Sequence, residues 1–205
     1  MDALVIDIAH VDSALMLSAV GQIRERMGDV QVVAGNVATA EATERLIEAG
    51  VDAVKVGVGP GSVCITRQIA GVGVPQLTAV LECATSAKGH NVPIIADGGI
   101  RHPGDVAKAI GAGASSVMLG NLLAGTDESP GMVMVRDGQK MKVARGMASK
   151  EASLDRALRE DPTHGWRSGN RRTRMSRRRV FRRRCCTEAP PVRYCNPCCR
   201  GCVPE

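Results

Sequence analysis

Five short aliphatic runs, each followed by a polar or glycine-rich loop, constrain this chain more than any other feature of its sequence. The runs are Ala3–Ile8, Gln31–Ala34, Ala53–Val56, Pro93–Ala96 and Ser115–Leu119, and they read as buried strands. Segments of helical periodicity lie between them: Ser13–Met27, Ala40–Ala49, Leu77–Ala87 and Pro103–Ile110, where Pro103 suits a first helical turn. Glycines follow these helices at Gly50, at Gly113 and, less cleanly, at Gly89, where a left-handed cap is expected. Repeated βα units of this kind predict parallel strands joined by right-handed crossovers. The pattern alone leaves an open sheet and a closed barrel equally available. Trp166, Phe181 and Tyr194 all fall in the last quarter, so the core of the preceding body must be aliphatic.

Charge divides the chain into a body, residues 1–165, and a tail, residues 166–205. The body carries a net charge of −4 and the tail +10, with 12 Arg against two Glu. The basic balance therefore says nothing about partners of the body. Only Cys64 and Cys83 lie in the body; the other six cysteines fall between 185 and 202. No basic head, apolar run and cleavage site open the chain, and no apolar window reaches the roughly 18 residues of a membrane span. A cytoplasmic location with free body thiols is the expectation.

The loops after Ile8, Ala34, Val56, Ala96 and Leu119 share the C-terminal edge of a parallel sheet, where ligands bind in either architecture. The richest is Val54–Arg67, V-K-V-G-V-G-P-G-S-V-C-I-T-R. Gly57, Gly59 and Gly61 alternate directly after a strand, which lets backbone approach a ligand or ion closely. Cys64 follows, flanked in sequence by Lys55 and Arg67, and neighbouring cations favour the thiolate that acts as a nucleophile. A cysteine that merely fills a small buried gap is the competing reading. In Ala96–Arg101, A-D-G-G-I-R, Asp97 can accept bonds from sugar hydroxyls. Gly98 and Gly99 leave N–H groups open ahead of a helix, which suits a phosphate. Leu119-Gly120-Asn121 repeats that design after the last strand; Asx or glycine turns without a ligand are the alternative for both.

Six blocks together resemble the inosine monophosphate dehydrogenase and guanosine monophosphate reductase family. They are the Cys64 loop running on through A-G-V-G-V-P-Q at Ala70–Gln76, A-G-N-V at Ala34–Val37, A-D-G-G-I at Ala96–Ile100, V-M-L-G at Val117–Gly120, A-G-T-D-E-S-P-G at Ala124–Gly131 and R-G-M at Arg145–Met147. The resemblance implies a (β/α)8 TIM barrel that forms homotetramers, of which this chain would hold about the last five strands. It implies Cys64 as the nucleophile at C2 of the purine and Thr66 as a helper of the attacking water. Substrate contacts would fall to Ser62, Asp97, Gly98, Gly99, Gly120, Asn121, Gly146 and Met147. Asp7, Asn36, Gly57 and Gly59 would face the NAD cofactor. The carbonyls of Gly59, Gly61 and Cys64 would supply half of a potassium site. The reaction implied is oxidation of inosine monophosphate to xanthosine monophosphate, in guanine nucleotide synthesis, with the reductase as the alternative.

Departures from the family pattern are also specific. Val11-Asp12-Ser13 stands where G-H-S or G-N-S is usual, Ala144 where a Tyr often precedes R-G-M, and Asn121 where a Ser often follows the phosphate glycine. The resemblance implies that three strands precede Met1, and that a flap bearing the water-activating Arg–Tyr pair would follow Pro162. The switch to clustered Arg and Cys after Gly165 leads to the expectation that the tail is disordered or read out of frame. Cys195-x-x-Cys198 and Cys199-x-x-Cys202 have zinc-ligand spacing, but the pairs abut and no His lies among them. Scarce aromatics argue against nucleic acid despite the Arg clusters, and His164 reads as a turn residue. A catalytically inactive remnant is the remaining alternative.

Overall fold

The computed structural model describes residues 2–136, 139–144, 146, 152, 154 and 181–184. It divides into two compact units, Met1–Leu123 and Ala124–Glu205. In the first unit β1 (Ala3–Asp7), α1 (Ala14–Arg26), β2 (Gln31–Val37), α2 (Ala40–Glu48) and β3 (Ala53–Val56) follow one another. The short α3 (Thr66–Ile69), α4 (Gln76–Lys88), β4 (Ile94–Asp97), α5 (Pro103–Gly111) and β5 (Ser116–Met118) complete it. The aliphatic runs thus form the five strands, and each periodic segment forms a helix. The helix starts have local causes: the side chains of Ser13 and Thr39 accept from the backbone N–H groups of Met16 and Ala42, satisfying donors the helix leaves free. Gly50 and Gly113 take positive φ past their helices. Gly89 does not, having φ −68, and the left-handed residue after α4 is Asn91 at φ 56.

All five strands pair in parallel, and their spatial order is their chain order. That order is consistent with the barrel among the two architectures the sequence left open. A doubly wound sheet reverses direction at a switch point, placing helices on both faces. Here no reversal occurs, so every right-handed crossover lays its helix on the same side, as in the arc of a TIM barrel. Side chains alternate accordingly. Val32, Ala34, Val54, Val56, Ile94 and Ala96 pack with Val20, Leu46, Val80 and Ala109 of the helices in one core. Each fully buried Val or Leu there contributes about 1.5–3 kcal/mol. The opposite face carries Lys55 and, nearer the sheet's two edges, Val5 and Met118, which are 52% and 41% exposed.

In the second unit β6 (Val133–Arg136) and β7 (Gln139–Ala144) form an antiparallel pair, and β8 (Phe181–Arg184) pairs antiparallel with β7. β8 lies in the stretch expected from sequence to be disordered or read out of frame; the other residues of 166–205 lie outside those described. Lys142 is buried, and its ammonium donates to the carbonyls of Thr126 (2.6 Å), Asp127 (3.3 Å) and Ser129 (2.7 Å). Among the described residues, no helix is long and apolar enough to cross a membrane.

Candidate active site

Because the strands are parallel, their C-terminal ends share one edge, and Asp7, Asn36 and Asp97 arrive there from β1, β2 and β4. The ammonium of Lys55, on β3, sits among them. It donates to Asp7 Oδ1 (2.9 Å), to Asn36 Oδ1 (2.5 Å) and to Asp97 Oδ2. The Lys55 side chain is 1% exposed, against 23% for Asp97 and 60% for Asp7. Asn36 in turn donates through Nδ2 to Gly57 O (2.7 Å) and Asp97 Oδ2 (3.0 Å). Lys55, read from sequence as a cation for the thiol, is thus committed to carboxylates. Arg67 is committed too, donating from Nη2 to Val74 O (2.5 Å).

The Cys64 loop is shaped by close backbone packing. Gly57 has φ +147, and a Cβ there would lie 2.2 Å from Asp97 O. Its glycine therefore permits the approach of β3 to β4 beneath the loop. Gly59 and Gly73 both face the stem of Arg67, which a Cβ at either would meet at 2.7 Å. Arg67 thus pins the loop to the following turn, a role its sequence position did not reveal. Cys64 N donates to Gly61 O (3.0 Å), closing the turn that carries the thiol. Cys64 is exposed, and its Sγ donates to Thr66 Oγ1 (3.2 Å), so the two predicted catalytic residues are neighbours. Cys83, by contrast, is buried; burial raises its pKa and its Sγ donates to Thr39 O (3.4 Å).

The Ala96–Arg101 loop packs directly on the Cys64 loop. Gly98 and Gly99 have φ +87 and +80, and a Cβ on Gly98 would lie 3.0 Å from Pro60 Cγ and 3.1 Å from Gly61 N. Gln76, missed in the sequence, joins the two: its Nε2 donates to Val56 O (2.9 Å) and Asp97 O (3.2 Å). The only hint was its place at the end of the A-G-V-G-V-P-Q run. The N-terminus of α5 is already occupied by an anion. Asp105 Oδ2 accepts from the backbone N–H groups of Arg101 and His102, both at 3.0 Å. Those bonds, with Lys108, lower its pKa to about 2. A phosphate over this loop would therefore rely on Gly98 and Gly99 more than on the helix end. Gly120 follows β5 on the same edge, and a Cβ there would meet nothing within 4 Å.

The departure at Val11-Asp12-Ser13 has a local structural account. Val11 is fully buried and Ser13 caps α1. Asp12 takes a two-pronged bond from Arg45, at 2.8 Å from Nε and 2.5 Å from Nη2, which lowers the Asp12 pKa. Asn36, assigned to the cofactor by resemblance, is buried with its amide and oxygen both bonded inside the protein. Gly146 belongs to the second unit, and Met147 lies outside the described residues. Among the described residues, no three His, Cys, Asp or Glu side chains gather as a metal site; the tail's cysteine pairs fall outside them.

Residues 1–173 match the sequence profile of the IMP dehydrogenase / GMP reductase domain. The chain belongs to the IMP dehydrogenase / GMP reductase family. Within this family it is 56% identical over 161 residues to a GMP reductase of Leishmania donovani, covering 78% of this chain and 33% of that one. It is 57% identical over 159 residues to an inosine-5'-monophosphate dehydrogenase of Nitrosopumilus maritimus, with the same coverage of 78% and 33%. A solved structure of a cysteine-to-alanine GMP reductase from Trypanosoma brucei, in complex with guanosine 5'-monophosphate, superposes with a TM-score of 0.75. It is 58% identical and covers 78% of this chain and 34% of the other. The chain thus spans about a third of the length of the curated relatives it matches.

Proposed function

We propose that this chain carries the reacting part of an IMP dehydrogenase barrel, oxidising inosine monophosphate to xanthosine monophosphate with NAD. The observation that carries the reading is the packing of the Cys64 loop, through Pro60 and Gly61, onto Gly98. It brings the loop of the exposed Cys64 thiol against the Asp97-Gly98-Gly99 loop, to which this reading gives the sugar and phosphate. In this reading the Cys64 thiolate adds to C2 of the purine, and the hydride on C2 leaves. Water then adds at C2, the C–S bond breaks, and xanthosine monophosphate departs as the thiol is restored. Thr66, bonded to Sγ, orients that water in this reading. Asp97 binds the ribose hydroxyls, while Ser62, Gly98, Gly99, Gly120 and Asn121 hold the phosphate.

NAD, when bound, supplies the hydride acceptor. Asp7 fits it, as an exposed carboxylate on the binding edge able to accept from ribose hydroxyls, with Gly59 beside it in this reading. In this reading potassium would sit on the carbonyls of Gly59, Gly61 and Cys64, hard oxygen donors of one loop. A cytoplasmic homotetramer serving guanine nucleotide synthesis completes the reading.

The reductase is the second reading, favoured by the names of the Leishmania and Trypanosoma relatives. Absorbance at 340 nm separates the two. Inosine monophosphate with NAD should raise it, and Cys64→Ser should abolish the rise. A fall with guanosine monophosphate and NADPH instead would assign the reductase. Silence with both pairs would remove catalysis by this chain from the account.

A further inference from the structure

Lys55 is almost wholly buried at the centre of the binding edge, yet the reaction outlined above gives it no task. We infer that Lys55 is a positioning residue, a buried counter-ion shared by Asp7 on the cofactor side and Asp97 on the sugar side, which fixes the ligand-facing geometry of both. The inference rests on the nucleotide reading above and adds a residue to it.

An ammonium has three N–H donors, and Lys55 places all three on Asp7, Asn36 and Asp97. Two carboxylates are thereby held around one cation; without it, like charges on one edge would part. Asp97 Oδ2 takes bonds from both Lys55 and Asn36, which fixes the carboxylate's rotation. The same ammonium sets the orientation of the Asn36 amide, with its oxygen toward Lys55 and its nitrogen toward Gly57 O and Asp97. Gly57 opens the loop that carries Cys64, so Lys55 reaches the thiol loop through Asn36 without touching it. The neighbouring strand is fitted to the lysine stem: a Cβ on Gly35 would lie 2.6 Å from Lys55 Cβ.

The test is a double-mutant cycle on the full chain, read by calorimetric binding of inosine and guanosine monophosphates. Lys55→Met keeps the side-chain length and removes the charge. It should weaken nucleotide binding roughly 10- to 100-fold, the loss expected for a bond to a charged group. Lys55→Arg, which keeps the charge, should recover part of that loss. In the Asp97→Asn background the effect of Lys55→Met should shrink to less than about threefold, because its route to the ligand is gone. Effects of the two changes that simply multiply would overturn the proposal, since a general structural role is indifferent to Asp97. Proton NMR of the Asn36 side-chain amide gives a readout that needs no nucleotide. In the unaltered chain that amide should exchange slowly, and where Lys55→Met folds the protection should vanish. Fast exchange in the unaltered chain, or protection that survives Lys55→Met, would equally overturn it. If neither nucleotide binds, the proposed function falls, and the amide measurement still decides the role of Lys55.

Discussion

Gly57→Ala should damage stability and ligand binding together, because one hydrogen at this position separates two strands. The new Cβ would lie 2.2 Å from Asp97 O and 3.1 Å from both polar atoms of the Gln76 amide. The nearest obstacle is backbone, so β4 itself must move. A side chain held at φ +147 costs about 1–3 kcal/mol in backbone strain. Overpacking of a closed site adds about 1–3 kcal/mol more. The expected loss is therefore about 2–6 kcal/mol, which lowers the melting temperature by roughly 10 °C in a chain of this size. Gly21→Ala is the matched control: it lies within α1, and a Cβ there meets nothing within 4 Å. It should stabilise the protein by roughly 0.5–1 kcal/mol. Urea unfolding followed by circular dichroism measures both. A Gly57→Ala variant within about 0.5 kcal/mol of the parent would refute the argument that this glycine exists to let β3 approach β4.

Three further outcomes follow from the same structure. The Asp105 carboxyl has a folded pKa of about 2 against an ordinary 3.8, so its stabilising effect is full above the ordinary value and disappears as pH falls toward 2. Melting curves of the parent and Asp105→Asn should therefore differ above pH 4 and converge near pH 2; a constant difference would contradict this. Brief treatment with iodoacetamide, followed by peptide mass mapping, should modify exposed Cys64 well before buried Cys83, and equal rates would contradict the assigned burial. Lys142→Met should cost about 1–3 kcal/mol in denaturant unfolding, since three carbonyls lose their shared donor, and an unchanged midpoint would show the ammonium to be dispensable.

The alternation of strands and helices was legible because aliphatic runs and glycine caps are local signals. Ala53–Val56 and Ala40–Glu48 follow directly from them. Strand order was not legible, since it is a property of pairing between segments far apart in the chain. The hairpin of β6 and β7 escaped the reading, although Asp137-Gly138 between two short runs is the usual turn signal. Lys140 and Lys142 masked its alternation, and burial of Lys142 shows only once the carbonyls around it are in place. Within the candidate site, Cys64, Thr66, Asp97, Gly98 and Gly99 stood out by type and spacing. Lys55, Arg67 and Gln76 did not declare their roles, because a counter-ion, a loop pin and a bridge between strands are defined by partners distant in sequence.

Covalent capture of the purine by Cys64 is the claim on which the chemistry rests. Intact-mass and peptide mass spectrometry of the chain, quenched in acid after mixing with inosine monophosphate and NAD, reads it directly. The account predicts an adduct on the Cys64 peptide with the mass of the nucleotide less two hydrogens, absent in Cys64→Ser. An adduct on any other residue, or a Cys64→Ser variant that still turns over, would contradict it.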